Sequence, residues 1–163
     1  MSVPRMLFGI DLVDVRRVAR ALDRNGVVYA RHVLAEDEQC LHTDRTLATA
    51  AGVAVKEGFV KAVGGRPPGF SWHDFVAQGP GGSPALIDRS LAGALPPISA
   101  ATGIELTEVR TYTVRGASRD AALARLGEAP GETSVVGAAR WGRRHEVIVA
   151  LAILVTISAK ENS

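Results

Sequence analysis

Residues 46–65 read TLATAAGVAVKEGFVKAVGG, and this stretch decides the fold. Leu47, Ala51, Ala54, Gly58 and Ala62 recur at helical spacing and place small side chains on one face. The spacing predicts a long helix over 46–63 whose small-residue face admits another backbone at close range. Gly64-Gly65 ends it, and Pro67-Pro68 prevents a restart. Within it, Glu57 and Lys61 stand one turn apart on a shared face, and Lys56 points elsewhere.

Upstream, 6–10 is a short apolar run that predicts a strand, with Asp11 just after it at the opening of a loop. Val15, Val18, Ala19 and Leu22 form an amphipathic stripe, and Asn25-Gly26 predicts its end. A further helical stretch is expected over 36–41. Downstream, the pattern predicts strands over 70–78 and 85–87, a helix over 90–102 kinked or started by Pro96-Pro97, a strand over 106–115 and a helix over 119–126. Residues 134–141 and 147–157 read as a terminal hairpin joined through 142–146. The last strand is apolar on both faces, which places it inside a sheet or at a subunit contact. The expected class is α+β, a small antiparallel sheet packed on one long helix with shorter helices, in a single domain spanning 1–163.

Composition narrows the function. The 163 residues carry 19 Lys and Arg against 17 Asp and Glu, a net charge of +2, too little excess for a nucleic-acid binder. Hydrophobic residues make up 47%, which excludes a disordered chain. The 11 apolar residues 147–157 are too few to span a bilayer as a helix, so no membrane partner is expected. The N-terminus does not read as a signal peptide, and Cys40 is the one cysteine, so no internal disulfide forms. A cytoplasmic location is expected.

Asp11 and Glu57, far apart in sequence, are two carboxylates that could hold a hard cation with substrate oxygens, as magnesium commonly uses one or two carboxylates and leaves its other positions to phosphate and water. Lys61 would add positive charge for a phosphoryl group. Spacing alone favours a plainer reading, an exposed Glu57–Lys61 ion pair and an Asp11 that caps the first helix. His32, His42, His73 and His145 lack metal-ligand spacing, Gly79–Gly82 lacks the lysine-serine ending of a phosphate loop, and Ser83 and Ser134 lack a nucleophile-elbow context. Arg16, Arg17, Arg20, Arg24 and Arg31 form a cationic group that reads as a solvated face or as a dock for an acidic partner.

GIDLVDVRRV at 9–18, RHVLAEDE at 31–38 and AVKEGFVKAVG at 54–64 together resemble the ordered motifs of the holo-acyl-carrier-protein synthases, the small phosphopantetheinyl transferases. Trp72-His73-Asp74-Phe75, Gly82-Ser83-Pro84 and the apolar final strand follow in the family's order. The resemblance is specific over 8–65, loose over 70–100 and nearly lost over 105–145, where 105–133 looks like an insertion. It implies a phosphopantetheinyl-transferase-like fold. It also implies transfer of the phosphopantetheine arm of coenzyme A to a serine of an acyl carrier protein, with Mg2+ on Asp11 and Glu57. It further implies Glu57 and Lys61 as catalytic residues, Lys61, Gly64 and Gly65 at the coenzyme, Arg17 and Arg24 at the carrier protein, and a homotrimer with active sites at subunit contacts. The base for the serine proton is Glu57 or a water at the metal, and the water is preferred because a ligating carboxylate stays ionised. The chain departs from the family pattern at Gly52, where an arginine is usual, at Gly65-Arg66 in place of the rest of a Gly-Thr-Gly turn, and near Val135, where a histidine is usual. These departures keep open a repurposed fold, either a biosynthetic enzyme such as a cyclase at the inter-subunit cleft or a non-catalytic carrier-protein binder.

Overall fold

A computed structural model describes residues 5–39, 42–78 and 83–158. Five strands form one antiparallel sheet: β1 (Leu7–Asp14), β2 (Phe75–Ala77), β3 (Glu108–Val114), β4 (Thr133–Arg144) and β5 (Val147–Ser158), in the order β1-β5-β4-β3-β2. The helices are α1 (Val15–Val33), α2 (Glu36–Gln39), α3 (Arg45–Ala62), α4 (Ala85–Thr102) and α5 (Gly116–Leu126). The long helix and the terminal hairpin stand where the sequence predicts them.

β5 is paired on both sides, by β1 and by β4, and is buried without a break from Ile148 to Val155. That explains why its sequence has no polar face. The β4–β5 hairpin is longer than expected, because pairing continues to Arg144 opposite Val147 and leaves only His145 and Glu146 in the turn. His145 adopts φ 53, a left-handed conformation that favours glycine, and its carbonyl accepts a 2.7 Å hydrogen bond from Arg143 Nε.

α3 crosses one face of the sheet over β1 and β5. A Cβ added at Gly9 would collide with the Gly58 carbonyl, and one added at Gly58 would lie 3.1 Å from the Ala152 Cβ. The small-residue face therefore brings helix backbone against strand backbone, as its composition implies. Val13, Phe59, Phe75, Tyr112 and Ala152 belong to the core on this side, with Phe59 stacked on Phe75 at 5.0 Å between ring centroids. A second core covers the opposite face, where Ile87 and Leu91 of α4 meet Ile104, Leu106, Leu151 and Ile153.

Several local expectations change. Asp11 lies inside β1, paired with Ala150, and does not open a loop. The register with β5 holds the chain extended through Asp14, whose side chain caps α1 by accepting from Arg16 N at 2.9 Å. Gly26, at φ 54 and ψ −139, interrupts the helix as predicted, but the chain turns helical again and continues to Val33. Residues 85–87 begin α4 instead of a strand, because Ile87 and Leu91 supply its buried face one turn apart. Pro96 and Pro97 lie inside that helix. The strand expected over 70–78 shortens to β2, preceded by a 3-10 turn at Trp72–Asp74 with a capping box from Ser71 and Asp74. Residues 105–133 hold β3, which joins β2 to β4, and α5. Cys40, Leu41 and the glycine-rich turn at 79–82 lie outside the described residues. No described helix is long and apolar enough to cross a membrane.

Candidate active site

The alternation of β1 directs Gly9, Asp11 and Val13 towards α3 and leaves Phe8, Ile10 and Leu12 exposed on the other side. Asp11 thereby meets the last turn of α3. Lys61 Nζ donates to Asp11 Oδ1 at 2.7 Å and to the Ile10 carbonyl at 3.0 Å. Glu57, one turn earlier, has a different partner: Arg66 Nη2 donates to Glu57 Oε1 at 3.0 Å. The Glu57–Lys61 pair of the plainer sequence reading does not form, nor does Asp11 cap a helix. The fold supplies Lys61 with a nearer acid from a strand 50 residues away in sequence.

Arg66 reaches Glu57 because the chain reverses after α3. Gly64 and Gly65 adopt φ 90 and 119, conformations that side chains rarely take, and the Gly65 N–H bonds back to the Val60 carbonyl at 2.9 Å. The Arg66 guanidinium then lies 4.7 Å from the Trp72 ring centroid and 5.4 Å from that of Phe70. The Asp11 and Glu57 side chains are 15% and 28% exposed, so each acid is reachable from solvent beside its cation.

Tyr29, on α1, lies within reach of the Glu57 charge. Burial pushes its phenol above the usual range, the Arg17 charge pulls it down and the Glu57 charge pushes it up. Both charges act on this one phenol. Arg17 and Arg24 are exposed on α1.

The donor set decides what ion would fit. Among the described residues no group of three or more His, Cys, Asp or Glu is arranged to hold a metal. Two carboxylates are too few for an ion held by protein alone, such as structural zinc, and suit a hard cation that completes its shell with substrate and water. The described bonds engage one oxygen of each acid.

Sequence reasoning missed the side chains that brace the site from behind. Lys56 is fully buried and gives all three ammonium protons: to the Val33 carbonyl at 2.7 Å, Glu38 Oε2 at 2.8 Å and the Trp72 carbonyl at 3.2 Å. Glu38 also accepts from Ala35 N at 2.7 Å and Ala77 N at 3.0 Å. Burial depresses the Lys56 ammonium pKa, and Glu38 opposes that shift. The available signal was a lysine within a mostly apolar helical stretch, one residue before the candidate acid.

No protein-family model matches the chain. It is 31% identical over 124 residues to a holo-[acyl-carrier-protein] synthase of Myxococcus xanthus, covering 74% of this chain and 95% of that protein. The chain belongs to the holo-[acyl-carrier-protein] synthase family. The synthase of Beutenbergia cavernae is 39% identical over 100 residues, covering 61% of this chain and 78% of its own length. The fold agrees. The Helicobacter pylori holo-[acyl-carrier-protein] synthase in complex with coenzyme A superposes with a TM-score of 0.56 at 17% identity, covering 93% of this chain and all of that one. The Plasmodium yoelii holo-ACP-synthase superposes with a TM-score of 0.59 at 15% identity, covering 96% and 99%. In this holo-[acyl-carrier-protein] synthase homologue, the acid on β1 pairs with Lys61 and the acid on α3 with Arg66.

Proposed function

We propose that this chain transfers the 4'-phosphopantetheine arm of coenzyme A to a serine of an acyl carrier protein, with magnesium held by Asp11 and Glu57. Family membership supports the transfer, and the observation that carries the site is the convergence of Asp11 and Lys61, 2.7 Å apart, one helical turn from Glu57. A new bond forms between the serine Oγ and the diphosphate phosphorus next to pantetheine. The bond from that phosphorus to the bridging oxygen breaks, adenosine 3',5'-bisphosphate leaves, and the serine proton passes to water. Such chemistry needs positioning and charge neutralisation more than covalent help. Magnesium, when bound, supplies compensating charge to the diphosphate.

The protein's own residues do the rest. Asp11, fixed by the pairing of β1 with β5 before and after it in the strand, presents a carboxylate from a rigid element. Glu57 does the same from the middle of α3, and Lys61, anchored on the Ile10 carbonyl, offers an ammonium for the charge on the phosphoryl group. Gly64 and Gly65 line the coenzyme's approach to the turn after α3, where Gly65 is open and the Arg125 guanidinium stands beside Gly64. Arg17 and Arg24 meet an acidic face of the carrier protein, an attraction that salt weakens. The functional unit is one domain over 1–163, assembled as a cytoplasmic homotrimer. The test is incubation with coenzyme A, magnesium and apo carrier protein. Gain of the phosphopantetheine mass on the carrier is expected, and no gain across several carriers would rule the transfer out.

A further inference from the structure

Arg66 occupies a place no part of the proposed transfer requires. It follows two glycines whose positive φ values turn the chain back over α3, and its guanidinium is held between an acid and two aromatic rings. Nη2 lies 3.0 Å from Glu57 Oε1, and the cationic plane stands 4.7 Å from the Trp72 centroid. This arrangement fixes the guanidinium beside one carboxylate without sealing it in, since its side chain is 53% exposed. Lys61 differs, because it has a second anchor on the Ile10 carbonyl and touches the other acid. Arginine carries its charge at every working pH. A divalent ion that approaches Glu57 therefore meets a resident positive charge on the same carboxylate.

We propose that Arg66 is a built-in counter-ion of Glu57 that competes with the divalent cation for this carboxylate and lowers the affinity of the site for the metal. This inference rests on the assignment of Asp11 and Glu57 as metal ligands. Arg66 is a tuning residue: it acts on the metal through Glu57. Its stacking on Trp72 and Phe70 gives the displaced side chain a resting place on the segment that leads to β2. Metal occupancy is in this way coupled to the turn after α3.

The test is Mn2+ binding to the free protein at low ionic strength, with free Mn2+ counted by electron paramagnetic resonance and no substrate present. Arg66→Gln removes the charge and keeps most of the side chain, and it should bind Mn2+ about three- to tenfold more tightly than the wild type, the scale of a partly exposed charge interaction. Arg66→Lys keeps the charge and should stay closer to the wild type than to Arg66→Gln. Equal or weaker binding by a folded Arg66→Gln overturns the inference, as does Arg66→Lys matching Arg66→Gln. Asp11→Asn separates the two readings. If it leaves Mn2+ binding unchanged, the metal assignment falls with the inference. If it abolishes binding while Arg66→Gln binds as the wild type does, the inference alone falls.

Discussion

Lys56 Nζ lies 2.8 Å from Glu38 Oε2 with both side chains withdrawn from solvent, at a point where α3 meets the ends of α1, α2 and the segment leading into β2. The neighbouring residue on α3 is Glu57, so the pair braces the helix that carries the candidate site. Removing one partner strands a buried charge. Lys56→Ala should cost about 3–5 kcal/mol of unfolding free energy. Urea denaturation checks it, and a loss below about 1 kcal/mol, the size of an exposed pair, would show that the pair is not a structural hub.

Gly9 faces the Gly58 carbonyl with no room for a methyl group. Gly9→Ala should destabilise the fold by about 1–3 kcal/mol, because backbone on both sides has to move. A midpoint in urea equal to that of the wild type would contradict the close packing of β1 on α3.

Both tyrosines resist ionisation. Tyr112 is sealed in the core beside Phe59, and burial raises its pKa from 10.0; Tyr29 is raised in the same direction. The folded state keeps these protons at pH values where the unfolded chain has released them, so stability falls as pH rises above about 10. Alkaline titration followed by phenolate absorbance should show Tyr112 ionising together with unfolding. A reversible phenolate signal from both residues near pH 10 in the folded protein would refute the burial account.

Glu57 raises the Tyr29 pKa and Arg17 lowers it. Glu57→Gln should therefore move the Tyr29 transition to lower pH, and Arg17→Ala to higher pH. Spectrophotometric titration of each variant reads the shift. A shift of opposite sign in either would separate Tyr29 from that charge.

Asp11 and Glu57 sit in partly exposed ion pairs, worth at most about 1 kcal/mol each. Glu57→Gln should thus abolish carrier-protein modification while the urea midpoint barely moves. A chelator should stop the wild-type reaction and added magnesium restore it. Retained turnover in Glu57→Gln would remove this residue from the mechanism.

Arg17→Glu should raise the KM for an acidic carrier protein and flatten its rise with salt, leaving kcat within about twofold, because exposed charge steers the encounter. Initial rates at several salt concentrations give the comparison, and an unaltered KM would place the docking face elsewhere.

The sequence by itself determined the elements whose cause is local. The stripe on α3, the small residues at 51, 54, 58 and 62, the apolar run of β5 and the break at Gly26 follow from side-chain periodicity and backbone preference, which neighbouring residues dictate. The ordered motifs around Asp11 and Glu57 also marked the two acids of the candidate site. Tertiary structure alone decided which charge faces which. Local spacing offered Lys61 to Glu57, yet strand register brought Asp11 to Lys61 and a glycine turn returned Arg66 to Glu57. It also decided that Lys56 is buried with Glu38, 18 residues away, and that Asp11 lies within a strand. Ion pairs and register depend on where distant segments approach in space, and no window of neighbouring residues holds that information.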